Sequence, residues 1–412
     1  MSEALHDIEH PSTVPDAAPA VPEEHTPAPE VAAQPPVNDH LSYWIDLFRW
    51  TAAFAVVLAH AGNRFVQATD TIAATDRTIV QTIYAFLNGF SHPGIMIFFV
   101  ISGFLVGGTT WREAMRTGGI DIRRFMGRRL IRLWIVIVPA LLATFTLDTW
   151  GSAQGDVAPI IYAEVRSHSL DAALCNVAFL QTVACDPYGT DGALWTLYNE
   201  FWYYLLFVAG VIIFVGKRYS IMQKAAFGMF ILIVAAASFW QREGAPMVPY
   251  FAIWLLGAWA ATVKRAPLKI SPWLPLVGTL ALLLGFRVGM GLKFWDNDGF
   301  WPFVFDLVSM GVFALFLATM RFRPVHLARF IAAPSVLLAS FSFTLYCFHV
   351  PLMNAMAATM ERNLAMGWRD VSHGLEWARL VVQLAFVMLF AFAVSRVTEA
   401  RTDTYRRIFL RG

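Results

Sequence analysis

Apolar residues in this chain gather into long, nearly unbroken runs, and short polar connections rich in arginine separate them. A helix that crosses ~30 Å of hydrocarbon needs about 20 residues. Runs of that size fall near residues 43–62, 84–107, 131–149, 193–215, 222–240, 248–263, 272–290, 301–320, 334–357 and 376–396, the sixth being the shortest. The pattern predicts an all-α fold, a polytopic membrane helix bundle of about ten transmembrane helices spanning residues 41–400. No internal repeat is visible, which argues against an inverted-repeat transporter.

Composition supports the membrane as solvent. Charged residues make up 15% of the chain and hydrophobic ones 57%, with a mean hydropathy of +0.54, whereas a soluble domain carries about 25% charged residues. Fifteen Trp and 34 Phe suit lipid-facing and interfacial positions. A net charge of +2 leaves no global basic field to attract nucleic acid. Residues 1–40 hold no Lys or Arg and are dominated by Pro, Ala, Glu and Asp, which predicts a disordered acidic tail. That tail lacks the basic and apolar regions of a signal peptide, so insertion is expected to rely on the first membrane helix.

With the N-terminus inside, twenty Lys and Arg fall in inner loops and the short basic tail at 401–412, against nine in outer loops and borders. By the positive-inside rule both termini are then cytoplasmic, as expected for a multi-pass protein of the inner (plasma) membrane. Cys175 and Cys185 lie in the one long hydrophilic loop after residue 150. They are either two free thiols or, if the loop faces an oxidising compartment, a disulfide. Cys347 sits alone in an apolar run and is expected to pack.

Ionisable groups at bilayer depth cost a few kcal/mol each, so each is a candidate for function. The first run carries Asp46, Arg49 and His60. Eleven residues at ~100° each bring Arg49 and His60 onto one stripe, separated by a rise of about 16 Å. Asp46, three residues before Arg49, is placed to neutralise it. Counting depth from the run ends puts Glu200 and His349 near the level of His60 in the outer leaflet. A carboxylate beside an imidazole holds it in the basic tautomer, ready to take a proton from a hydroxyl. These three residues come from three helices and lack the short spacings of a metal site, so no metal is expected.

Pro93 and Gly94 are expected to break or kink the second run near its outer side, freeing backbone groups. Further along, Ser102 and Gly103 suit either close helix packing or the approach of a slender ligand. The densest basic run, residues 123–132, holds Arg128, Arg129 and Arg132. It serves topology, or it clamps the phosphates of a donor such as acyl-CoA, since guanidinium is the preferred phosphate partner.

Five ordered segments resemble the membrane acyltransferase-3 family. Asp46, Arg49 and His60 are similar to its first-helix pattern of Asp, Arg, ten residues and His, and residues 98–104 (FFVISGF) to its second-helix motif. Arg129 and Arg132 resemble its Arg-x-x-Arg element, residues 194–204 its Leu-Trp-Ser/Thr-Leu and Glu segment, and residues 342–351 its late Tyr and His-x-Pro segment. The acidic tail departs from the family pattern, and an appended extracytoplasmic hydrolase-like domain, present in some members, is not expected.

The resemblance implies a ten-helix enzyme that passes an acyl group, commonly acetyl, from cytoplasmic acyl-CoA to a sugar hydroxyl of a cell-surface or secreted glycan, free or lipid-linked. Acyl-CoA is then a donor substrate, and no cofactor is held permanently. His60 resembles the essential base or transient acyl carrier, and Arg49 a polar partner on the donor path. Arg128, Arg129 and Arg132, with Ser102 and Gly103, are the expected donor contacts, and Glu200 and His349 the outer polar partners. Two other readings of the buried charges remain at this stage: a proton-coupled transporter or glycan exporter, and a scaffold subunit of an envelope assembly complex.

Overall fold

The computed structural model describes residues 39–65, 78–154, 162–163, 165–242, 244, 246–291, 300–364 and 374–410. The acidic tail, except its last two residues, and the loop cations Arg77, Lys293 and Arg369 lie outside the described residues. The elements are α1 (Asp39–Phe65), α2 (Ile79–Asn88), α3 (Ser91–Ser102), a π-helical turn (Gly103–Gly107), α4 (Gly108–Thr117), α5 (Ile122–Ser152), α6 (Leu170–Val177) and α7 (Trp195–Val215). They continue as α8 (Ile221–Ser238), α9 (Met247–Thr262), α10 (Trp273–Gly291), α11 (Phe300–Met320), α12 (Arg329–Ala339), α13 (Ser342–Leu364), α14 (Gly374–Ser395) and α15 (Thr402–Phe409). No strand occurs among the described residues.

Eight segments are long and apolar enough to cross a membrane. A ninth forms if α12 and α13, bent by 59° at their junction, count as one span, and α9 is a shorter apolar helix of 16 residues. Each apolar run of the sequence coincides with one of these segments, so the chain is a multi-pass, all-α membrane bundle. Helix α8 buries only 6% of its apolar window and faces outward, whereas α3 and α7 are largely enclosed.

In lipid, helices associate through close packing of small residues, because lipid is as apolar as leucine. The crossing of the α3–α4 segment with α9 shows this. Val100 and Phe104 pack around Gly257, while Gly103 lies against the carbonyl of Trp254. A Cβ on Gly103 would overlap that carbonyl oxygen, and one on Gly257 would overlap the carbonyl of Val100. Gly103→Ala is therefore expected to part α3 from α9. Quantitative blotting of membranes should show reduced abundance, and the protein that survives should keep its donor KM.

The break expected at Pro93 and Gly94 lies earlier. Helix α2 ends at Asn88, and Pro93 occupies the first turn of α3, where the missing N–H has no partner to lose. The carbonyls freed at the end of α2 are taken by Arg287, whose Nε donates to Phe86 (3.1 Å) and Nη2 to Ala85 (2.8 Å).

The segment between α5 and α7 folds onto the bundle. Asp148, buried near the end of α5, accepts hydrogen bonds from the His168 ring (2.8 Å) and from the Thr190 amide (2.9 Å) and hydroxyl (2.7 Å). Cys175 and Cys185 are joined as a disulfide across this segment. Trp134 and Trp202 donate from their indoles to the carbonyls of Val177 and Phe179, seating α6 against α5 and α7.

Candidate active site

A partly open cleft, with about 830 Å³ of empty space that includes open solvent, lies between α1, α3, α5, α7 and α13. Its polar wall carries Arg49 from α1, Ser102 from α3, Arg129 and Arg132 from α5, and Glu200 and Tyr204 from α7. Three-residue spacing turns Arg129 and Arg132 to one face of α5, which is why both reach the same space. Phe98, Phe99, Leu105 and Leu197 supply an apolar lining. The site thus joins concentrated positive charge to a greasy channel.

Arg49 and Arg129 are held without being saturated. The guanidinium of Arg49 reaches Asp46 (3.5 Å), the hydroxyl of Ser342 (3.4 Å) and Glu399 (3.8 Å). These distances are long for direct bonds, and a guanidinium has five donors, so capacity remains for a bound anion. Arg129 sits over the rings of Phe125 and Tyr204, at 5.5 and 5.8 Å from their centroids. Such stacking fixes the guanidinium plane and leaves its edge free. Its buried Nε has no hydrogen-bond partner among the described residues.

Glu200 is the centre of a hydrogen-bond relay. Trp254 donates to the Ser102 hydroxyl (3.2 Å), Ser102 donates to Glu200 (2.9 Å), and Tyr204 donates to the same carboxylate oxygen. The π-helical turn begins directly after Ser102, and such turns often mark functional positions. Gly103, expected as a donor contact, is packed on α9 and does not line the cavity. Its neighbour Ser102 does, because one residue of helix rotates the face by ~100°. Arg128 is likewise turned off the cavity wall.

The two histidines meet. The rings of His60 and His349 are 5.0 Å apart between centroids. His349 is fully buried, and its Nδ1 lies 2.7 Å from the Tyr346 carbonyl oxygen. A carbonyl only accepts, so Nδ1 carries the proton and Nε2 presents a lone pair. That Nε2 has no hydrogen-bond partner among the described residues. Arg49 and His60 both meet α13, at Ser342 and His349 respectively, in keeping with their common stripe on α1.

Glu200 does not lie level with the histidines, contrary to the depth count. Thr196 and Tyr346 are hydrogen-bonded (2.9 Å) and tie α7 to α13 at one height. From there Glu200 is four residues toward the Ser342 end, and His349 is three residues the other way. The two are therefore ~10 Å apart along the bundle. The count failed because α7 is entered through a 3₁₀ turn, Gly192–Leu194, seated against α13, so helix ends are not a common reference plane.

Tyr346 stands between the two groups. Its ring lines the cavity and lies 5.7 Å from that of His349, while its hydroxyl donates to the Ala193 carbonyl (2.9 Å). His60 and His349 are thus one aromatic layer behind the arginine-lined space.

Several acidic groups escaped the sequence reading. Asp148 and Asp306 lie in apolar spans, a visible signal; the structure pairs Asp306 with His92 (2.7 Å) and Tyr250 (3.0 Å). Asp191 is fully buried with neither carboxylate oxygen hydrogen-bonded among the described residues. Burial, aided by nearby Asp148, pushes its carboxyl well above the usual range. Glu399 had no sequence signal at all, since its partner Arg49 is 350 residues away.

A family model described as an acyltransferase domain matches residues 42–396. The chain is similar to Nodulation protein 10 of Rhizobium leguminosarum bv. viciae, at 24% identity over 403 residues that cover 88% of this chain and 95% of that protein. No solved structure matches it. The match runs from α1 through α14 and so takes in every wall of the cavity and both histidines. The chain belongs to the membrane acyltransferase-3 family and is a multi-pass membrane acyltransferase.

Proposed function

We propose that the protein transfers an acyl group, acetyl foremost, from cytoplasmic acyl-CoA to a hydroxyl of a cell-surface or secreted carbohydrate. The observation that carries this reading is the arginine-lined cavity, with an apolar lining that ends one side chain short of a histidine whose Nε2 is bare. Arg49, Arg129 and Arg132 hold the phosphates of the donor, as bidentate guanidinium groups do. The acyl chain and its thioester extend along Phe98 and Leu197 toward Tyr346.

In this reading the histidine pair handles the proton. The imidazole base removes it from the acceptor hydroxyl as the oxygen attacks the thioester carbonyl. Collapse of the tetrahedral intermediate expels the coenzyme A thiolate, which takes the proton from the imidazolium. The ester remains on the sugar, and the base is regenerated. Membership in the family, the excess of cations on one set of loops and the disulfide on the opposite set support an inner-membrane orientation with the arginines toward the cytoplasm.

Mass spectrometry of surface polysaccharide from cells with and without the protein tests the reading. One acyl mass per modified sugar, present only with the protein and labelled from acetyl-CoA, is the expected result. Polysaccharide of unchanged mass, with no donor consumed by purified membranes, would refute it.

A further inference from the structure

The walls of the cavity come from helices that precede residue 364, yet one contact to Arg49 comes from beyond the last membrane helix. After α14 the chain makes a 3₁₀ turn, Glu399–Arg401, and then α15, which lies along the first turns of α5 with Leu410 over Gly127. Glu399 points back into the bundle. One carboxylate oxygen accepts from the amide and the hydroxyl of Thr344 (3.1 Å each), and the other faces Arg49 at 3.8 Å. Thr398 adds a hydroxyl contact to Thr344 (3.4 Å).

This arrangement has a physical logic. Thr344 is in the first turn of α13, where backbone N–H groups have no partner within the helix and the helix dipole favours an anion. Glu399 satisfies one of those donors and is thereby fixed in place. Its second oxygen then faces Nη2 of the guanidinium, whereas Asp46 faces Nη1. Arg132 lines the same cavity, so three cations repel one another there, and a carboxylate at Arg49 offsets that repulsion. Close by, Arg406 of α15 is near enough to Arg129 for their charges to interact, and its buried Nε has no hydrogen-bond partner among the described residues.

We propose that Glu399 is a positioning residue of the donor site. It holds the Arg49 guanidinium toward the cavity, and it makes the segment after the last membrane helix a working part of the enzyme. This rests on the reading of Arg49 as a donor contact.

Titration of purified, full-length protein in nanodiscs with coenzyme A, followed by calorimetry, separates the two claims. Glu399→Gln is expected to weaken binding about tenfold, the scale of one partly buried ion pair lost, while the acceptor KM stays unchanged. Thr344→Val, a milder change that removes only the hydroxyl bond, should shift binding the same way by less. In an Arg49→Gln background, Glu399→Gln should have no further effect. Equal weakening in both backgrounds, or wild-type affinity in both Glu399→Gln and Thr344→Val, overturns the proposal. If wild-type protein itself does not bind coenzyme A, the donor-site reading falls, and this proposal falls with it.

Discussion

Exchange of His60 for alanine is expected to lower acyl transfer by two to four orders of magnitude, while the protein should stay in the membrane at normal abundance. The scale is that of a lost general base, on the order of 10²- to 10⁴-fold. The rings of His60 and His349 lie 5.0 Å apart at a tilt of 58°, and His349 is tied to the Tyr346 carbonyl through Nδ1. The pair therefore has one rigid member and one half-buried member free to meet the acceptor. His349→Gln keeps a polar side chain in the same volume and should show a comparable loss in kcat with the donor KM unchanged. Rates measured with labelled acetyl-CoA on membranes of equal protein content decide the matter. Full transfer by His60→Ala would remove the histidine pair from the chemistry.

The second large effect is on the donor. Arg129→Ala with Arg132→Ala is expected to raise the donor KM by at least a hundredfold, since each charged contact to phosphate contributes about 1.5–3 kcal/mol. The acceptor KM should change little, because the histidines lie behind Tyr346, away from these side chains. Replacement by lysine should rescue only in part: an ammonium keeps the charge and loses both the fork and the stacking on Phe125 and Tyr204. Raising the salt concentration should weaken wild-type binding and leave the doubly substituted protein much less affected. A double variant with the wild-type donor KM would place the phosphates elsewhere.

Both predictions depend on a division of labour that stripes on α1 suggested and packing refined. Asp46, Arg49 and His60 share a helix, so their mutual geometry follows from 3.6 residues per turn and could be read directly. The same holds for Arg129 and Arg132. Gly103 shows the limit of such reading: a small residue in an apolar run suits ligand or helix equally, and only the position of α9 tells which. Glu200 shows another limit. Its depth was counted from the end of a helix, and helices in this bundle begin at different heights.

Solvent, the multi-pass helical fold, the cationic faces and the shared stripe of Arg49 and His60 were legible in the order of residues alone, because hydropathy and helical periodicity are local properties. Neighbour relations were not. Lipid-facing and helix-facing surfaces are equally apolar, so nothing in a run of Leu, Phe and Ala says which helix it will touch. The meeting of His60 with His349, the Tyr346 layer before them and the approach of Glu399 to Arg49 were therefore settled only when small residues, a bent span and buried polar bonds brought distant segments together.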